Sequence, residues 1–338
     1  MPENYVQPVT DRQQCYTCHK TVTGKKKLSK CSKCHAITYC GKECQVLDFD
    51  RHKWNCIPVM VTAIPGKSRG LVAARDIKMG EFIFLDKPEI KMPLNDLDTS
   101  SLMKQVENLS SEAKLHFYKL EECKCKHSKI NKEASIFCKN GTGDGLGMMF
   151  LYLNCTLINH SCAPNAYAEL VEDKKMEVRA IKDISKGEEV TVFYKCLPGR
   201  TYVAMGWKVK ERKKVIKEYM QFDCKCCVCS GNVPGQEEIT KQLLELDGKW
   251  FRIKNNEKPD YSDLVNTIDK IVDLSIMLYV GTIGDKADPL RMMAQLSYNI
   301  RDKEHLEKAK RKLKKLAEDT KLNTVMNIYE EISKLELA

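Results

Sequence analysis

Within the first 56 residues, eight soft metal ligands fall in four close pairs: Cys15-x2-Cys18, Cys31-x2-Cys34, Cys40-x3-Cys44 and His52-x3-Cys56. Each pair can fill two corners of a tetrahedron, so two four-coordinate zinc ions account for all eight and leave no ligand over. Closed sites of this kind offer water no position, and both ions are expected to be structural rather than catalytic. A segment this short cannot bury enough apolar surface to fold unaided, whereas zinc binding supplies on the order of 10 kcal/mol of folding free energy. The chain holds 17 cysteines, and Met1 to Gln14 is polar with no apolar stretch behind a basic start. That combination points to a reducing compartment, where clustered thiols bind metal rather than pair as disulfides. No apolar run reaches the roughly 18 residues of a membrane span, so a soluble, globular chain without membrane contact is expected.

Past this segment the composition changes. Leu71 to Ala74, Phe82 to Leu85, Met176 to Ala180 and Glu189 to Tyr194 are short runs rich in β-branched or aromatic residues, two of them preceded by Gly-Glu or Lys-Gly turns, and are predicted to be strands. Between them, Asp96 to Leu120 reads as helical, with Leu102, Val106, Leu109, Ala113 and Phe117 at helical spacings. From about Gln236 the pattern is wholly helical, with breaks near Asn255 to Pro259 and Gly281 to Pro289. There Leu306, Ala309, Leu313, Leu316 and Ala317 form one stripe with lysines opposite, which predicts a core-facing side and a solvated basic side. The fold class is α+β, and 338 residues that are 43% hydrophobic suffice for two or three compact domains.

Three further stretches carry chemistry. Gly66-Lys67-Ser68-Arg69-Gly70-Leu71 leads into Ala74-Arg75-Asp76-Ile77-Lys78-Met79-Gly80-Glu81. Asn159-His160-Ser161-Cys162-Ala163-Pro164-Asn165 is followed by Lys186-Gly187-Glu188-Glu189-Val190-Thr191-Val192-Phe193-Tyr194. Phe222-Asp223-Cys224-Lys225-Cys226-Cys227-Val228-Cys229 contains a Cys-x-Cys-x2-Cys run, whose three thiolates can occupy three corners of a tetrahedron. On spacing alone other cross-braced fingers fit the N-terminal pairs, but Tyr39-Cys40 and the tail Asp50-Arg51-His52-Lys53-Trp54-Asn55-Cys56 resemble a MYND finger. Together these stretches, over residues 15 to about 231, resemble the SET- and MYND-domain family of protein lysine methyltransferases.

The resemblance implies an N-terminal tail (1–14), a MYND zinc finger (15–56), a β-rich SET domain (57–200) with a helical insertion at about 95–150, a zinc-bound post-SET segment (201–231) and an all-α C-terminal region (232–338). In the finger it implies interleaved sites, Cys15, Cys18, Cys40 and Cys44 on one zinc and Cys31, Cys34, His52 and Cys56 on the other. It makes Cys162 the fourth ligand of a third zinc held by Cys224, Cys226 and Cys229, with Cys227 a spare. Cys123-x-Cys125-x-His127 lacks a fourth partner at a recognisable spacing and is not expected to bind metal. For the cofactor S-adenosylmethionine, the resemblance implies contacts from Asn159 and His160, from Lys67, Arg69 and the Gly70 turn at its methionine end, and from Asn140 in Ile136-Phe137-Cys138-Lys139-Asn140. Phe222 would stack near the adenine and wall the lysine channel, and the Tyr194 hydroxyl would orient the attacking amine as the catalytic group.

Two positions depart from the family pattern. The finger precedes Gly66 instead of interrupting the SET domain, and Met220 stands where an aromatic residue often lines the lysine channel. A flexible thioether there would loosen the channel. The implied activity is methylation of a lysine on a histone or non-histone protein by a monomer of the nucleus or cytoplasm, with partner proteins met through the finger and a role in chromatin regulation. Beside it stands an adaptor that keeps the zinc-braced fold without turnover. Weak nucleic-acid contact draws only on Lys25, Lys26, Lys27, Lys30 and Lys33. The formal charge of +10 counts every thiol as neutral. With three zinc sites filled by thiolates it falls to about +5, too mild to argue for nucleic acid on its own.

Overall fold

The structure, a computed structural model, describes residues 15–21, 28–53, 56–94, 98–124, 131–194, 209–278 and 284–337. The expected N-terminal tail, Lys25 to Lys27, Trp54, Asn55, Cys125, His127 and residues 195–208 lie outside the described residues.

The finger comprises a two-stranded antiparallel ribbon, β1 (Ser29–Lys30) and β2 (Thr38–Tyr39), followed by helix α1 (Lys42–His52). Its core is small: Cys15, Cys31, Cys34 and Tyr39 are buried together with Met60, Val72 and Ala74. The last three belong to the next unit, so the finger is seated directly on the hairpin of β3 (Val59–Thr62) and β4 (Gly70–Ala73). A hydrogen bond from Arg75 Nε to the Lys33 carbonyl, 2.8 Å, fixes that seat.

Strand β5 (Phe82–Asp86) and strand β6 (Ile90–Pro93) then diverge into different sheets. The helical reading of 96–120 resolves into two helices, α2 (Thr99–Glu107) and α3 (Ser111–Phe117). The periodicity runs on across the break, but Ser110 interrupts the backbone ladder by capping α3, its hydroxyl accepting from Ala113 N at 3.1 Å. Helix α4 (Lys132–Asn140) follows, then β7 (Thr142–Gly143) and β8 (Met148–Leu151). The insertion is therefore not helical throughout, because β6, β8 and β7 form a three-stranded sheet beneath the helices.

The remaining strands are β9 (Asn159–His160), β10 (Ala166–Leu170), β11 (Met176–Ala180) and β12 (Glu189–Val192). They complete two small sheets, ordered β10-β11-β5 and β3-β4-β12-β9. The run expected to be strand as far as Tyr194 ends at Val192, leaving Tyr194 just beyond the ladder. The β12–β9 pair is parallel, with Thr191 opposite Asn159 and Val192 opposite His160.

Helix α5 (Val209–Val215) runs into a π-helical turn at Ile216–Met220 and stops at Gln221, whose φ of 62° is left-handed. Among the described residues that follow are five helices, α6 (Gln236–Lys254), α7 (Tyr261–Leu278), α8 (Gly284–Asn299), α9 (Lys303–Thr320) and α10 (Asn323–Ser333). The break near 255–259 falls between α6 and α7, whereas Pro289 lies inside α8. On α9, Leu306, Ala309, Leu313 and Ala317 are buried and Leu316 partly so. They share a core with Tyr167 and Ile181, which ties the helices to the β-rich domain.

Candidate active site and metal centres

Among the described residues, three groups of four thiol or imidazole side chains come together: Cys15, Cys18, Cys40 and Cys44; Cys31, Cys34, His52 and Cys56; and Cys162, Cys224, Cys226 and Cys229. Within each group the ligand atoms all lie within 4.8 Å of one another. A Zn–S bond of about 2.3 Å gives a tetrahedron whose S···S edge is about 3.8 Å, and an S···N edge of about 3.5 Å when one ligand is imidazole. The separations match: 3.6 Å for Cys18–Cys40, 3.5 Å for Cys40–Cys44, 3.8 Å for Cys31–Cys56, 3.5 Å for Cys162–Cys229, and 3.6 Å from Cys34 Sγ to His52 Nε2. The donor sets and their spacing thus fit zinc. Such crowded thiols resist ionising together: the hydrogen bond to Cys40 pushes Cys44 up to about 12, and burial does the same to Cys56. A dication in their midst reverses that balance.

Cys227, between two ligands, is exposed and stands outside the third group. That group joins two distant stretches. Cys162 follows β9 by two residues, so whatever holds it also holds the segment Cys224 to Cys229 against the end of the β3-β4-β12-β9 sheet.

Around this junction lies an aromatic cluster. His160 packs against Tyr194 and Phe222, with ring centroids at 5.3 and 5.7 Å, and Tyr194 meets Phe222 edge-on at 6.4 Å. Parallel pairing explains the first contact, because it brings the residues after β12 alongside β9. The Tyr194 N–H donates to His160 Nδ1 at 3.1 Å, and Ser161 N donates to the Val192 carbonyl at 2.9 Å. Since a backbone N–H can only donate, Nδ1 is the lone-pair nitrogen and the ring proton sits on Nε2, 3.3 Å from Cys162 Sγ. Burial pushes His160 down to about 4, which keeps the ring neutral. Its side chain is thus engaged with the third cysteine group and Tyr194. The Tyr194 hydroxyl donates to the Ile158 carbonyl at 2.8 Å, which orients the phenol and leaves its oxygen as an acceptor.

The Gly70 turn lies against the other face of β9. A Cβ at Gly70 would meet Asn159 Nδ2 at 2.7 Å and Ile64 Cγ1 at 2.9 Å, so only glycine allows the approach. Asn159 Nδ2 donates to the Arg69 carbonyl at 2.7 Å and to Glu189 Oε1 at 2.8 Å, while Lys67 Nζ bonds Glu189 Oε2 at 2.6 Å. One carboxylate therefore aligns two of the candidate cofactor groups. Arg69 extends the other way, its Nη2 lying 3.2 Å from Nε2 of His116 on α3.

The Asn140 amide nitrogen is committed to the carbonyls of Glu121 and Ile136, so a ligand contact from it falls to the amide oxygen. Its neighbour Lys139 bonds the Met220 carbonyl at 2.6 Å, and Lys124 N bonds Gln221 Oε1 at 3.2 Å, which fastens the insertion to the segment carrying Phe222. Met220 itself is buried among Cys162, Ile216, Cys224 and Leu243.

Three residues of this site carried no assignment from sequence. Glu189 and Asn165 stood inside motifs but had no role attached. Asn165 takes the Thr191 N–H at 2.8 Å and donates to the Glu189 carbonyl at 2.9 Å, sewing the loop after β9 to β12. The strand alternation of β12, set beside Asn159, could have flagged Glu189. For His116, between Leu115 and Phe117, no sequence signal exists, since it belongs to an insertion whose packing sequence does not give.

A MYND finger model matches residues 15–56, and a SET domain model matches residues 68–195. The chain is 28% identical over 244 residues to histone-lysine N-methyltransferase ASHR1 of Arabidopsis thaliana, covering 65% of this chain and 47% of that protein. It is 25% identical over 241 residues to N-lysine methyltransferase SMYD2-B of Xenopus laevis, covering 67% of this chain and 54% of that protein. Against histone-lysine N-methyltransferase SMYD3 of Mus musculus the identity is 25% over 267 residues, 71% of this chain and 59% of that protein. The chain thus spans about half the length of these relatives.

Proposed function

Because the chain belongs to the SET- and MYND-domain family, we propose that it is a protein-lysine N-methyltransferase that uses S-adenosylmethionine. The observation that supports this most is the convergence of the Gly70 turn, Asn159, His160, Tyr194 and Phe222 around one junction, closed by the third cysteine group. The donor set suits the cofactor's chemistry. Lys67 and Arg69 offer donors to a carboxylate, the Asn159 amide holds the loop that carries them, and the faces of Tyr194 and Phe222 suit a sulfonium and an adenine ring.

S-Adenosylmethionine supplies an electrophilic methyl on a cationic sulfur. The rest falls to the protein. A lysine amine attacks only as its neutral form, and with a pKa near 10.4 its deprotonation at pH 7 costs about 4.6 kcal/mol. An apolar channel walled by Phe222 and Tyr194 would disfavour the ammonium by desolvation. Tyr194, its hydrogen directed to the Ile158 carbonyl, would present its oxygen to the incoming amine as a fixed acceptor. Alignment of nitrogen, methyl and sulfur in one line would remove much of the remaining barrier.

Under this reading the finger (15–56), SET domain (57–200), post-SET segment (201–231) and C-terminal helices (232–338) act together as a monomer, with three zinc ions in the three cysteine groups. The substrate is a histone or non-histone protein of the nucleus or cytoplasm, and the finger serves partner proteins. Among the described residues, no helix is long and apolar enough to cross a membrane.

The test is incubation of the zinc-loaded protein with radiolabelled S-adenosylmethionine and a proteome extract, beside Tyr194→Phe. Wild type should label protein, and the variant should do so about 100-fold less. Equal labelling would remove Tyr194 from its role, and wild type that binds cofactor yet labels nothing would sink the enzyme.

A further inference from the structure

We propose that His116, on α3 of the insertion, is a positioning residue for the cofactor: it holds the Arg69 guanidinium in place, so that the insertion sets the affinity for S-adenosylmethionine. The inference rests on the methyltransferase reading.

The geometry begins with the 3.2 Å contact between Arg69 Nη2 and His116 Nε2. A guanidinium can only donate, so Nε2 is the acceptor and the ring proton sits on Nδ1. Thr156 Oγ1 also lies 3.2 Å from Nε2, but its own hydrogen is directed to the Leu153 carbonyl at 2.6 Å. Burial foremost, and then the charge of Arg69, push His116 down to about 4, so the acceptor persists throughout the neutral range.

Both ends of this link are rigid. The neighbouring Phe117, with Ala113 one turn earlier, is buried in the insertion core alongside Leu102, Val106 and Phe137, which fixes α3 and the ring it carries. Arg69 is fixed by its backbone, with its carbonyl bonded to Asn159 Nδ2 at 2.7 Å and its N–H to the Lys67 carbonyl at 2.7 Å. Ser68 between them adopts a left-handed φ of 65°. The loop is thus pinned to β9 through its backbone and to α3 through the Arg69 side chain. An arginine free to turn must be ordered when a carboxylate binds, which weakens affinity, whereas one already held loses less.

The experiment measures S-adenosylmethionine affinity by calorimetry on the zinc-loaded protein, with thermal denaturation in parallel. His116→Phe keeps the ring and removes the acceptor, and His116→Gln restores an acceptor at similar reach. The Phe variant should bind the cofactor about tenfold more weakly at an unchanged melting temperature. The Gln variant should stay within about threefold of wild type. With Arg69→Ala in place, His116→Phe should have no further effect, because the two residues act as one unit. Should His116→Phe not fold, His116→Asn, too short to reach Arg69, takes its part. Wild-type affinity in the Phe or Asn variant, equal loss with Gln, or the same loss in the Arg69→Ala background would each overturn the proposal. Wild type that binds no S-adenosylmethionine would overturn the methyltransferase reading and this inference with it.

Discussion

Asp86 ends strand β5 with its carboxylate buried, taking the Asn154 side-chain amide at 3.0 Å and the Cys155 N–H at 2.8 Å. It thereby anchors the turn Cys155–Leu157, two residues before Asn159 and His160. Burial pushes this carboxyl up to about 7, against an ordinary value near 3.9, because its two hydrogen bonds do not repay the loss of water. A carboxyl protonated more readily in the fold than in the unfolded chain contributes stability that is whole below about pH 4 and lost as pH rises through about 7. Asp86→Asn carries no such proton. The advantage of wild type over the variant should therefore shrink by up to roughly 4 kcal/mol between acid and alkaline pH, most steeply around pH 5 to 6 and little above about pH 7.5. Melting temperatures of both proteins across pH 5.5 to 8.5 test this, since both share the same cysteine groups. Parallel curves would mean that Asp86 is ionised throughout. Nothing in Leu85-Asp86-Lys87 announces this role, because burial of a charge is a property of packing, whereas Asn159 and Tyr194 are legible through motifs that tie residue type to position.

Elements show the same division between local and long-range information. The strand at Met176–Ala180 and the buried stripe of α9 were readable, since alternation and 3.6-residue periodicity are local signals. The sheet beneath the insertion was not, because β7 is two residues long and gains its structure only by pairing with β8. Nor was the junction between the C-terminal helices and the β-rich domain, where a buried carboxylate joins the apolar contacts of Tyr167 and Ile181. Glu169, on β10 and 3% exposed, accepts from Asn323 N at 2.9 Å, from Thr324 N at 3.0 Å and from Thr324 Oγ1 at 2.8 Å. Its carboxylate thus closes the N-terminus of α10, where the helix dipole and unpaired N–H groups favour negative charge, from 154 residues away in sequence. Glu169→Ala would remove a charged acceptor and three hydrogen bonds from that helix end, a cost of about 2–3 kcal/mol. The melting temperature should fall by several degrees, and amide exchange should quicken first in α10. An unchanged exchange rate there would show that apolar packing alone docks the helix.

At the scale of the whole molecule, the three cysteine groups serve two separable tasks. The finger's two groups hold a unit whose own apolar core is small and which rests on the β3-β4 hairpin through Met60, Val72 and Ala74. That surface lies on the finger side of the hairpin, whereas the cofactor groups gather around β9 and the end of β12. The third group joins Cys162, two residues beyond His160, to the segment that follows Phe222, so its metal would fasten one wall of the proposed active site to another. Losing a ligand should then cost one zinc ion in either place but cofactor affinity in only one. Cys226→Ala should lower the zinc content from three ions to two and weaken S-adenosylmethionine binding more than tenfold, because Phe222 and the His160–Cys162 contact lose their common anchor. Cys44→Ala should lower the zinc content equally and destabilise the finger, yet leave cofactor affinity within about twofold of wild type. Zinc content by atomic absorption and binding by calorimetry separate the cases. If both variants lost cofactor binding together, the finger would be part of the active-site framework, and the hairpin on which it sits would be the route by which its folding reaches Gly70 and Asn159.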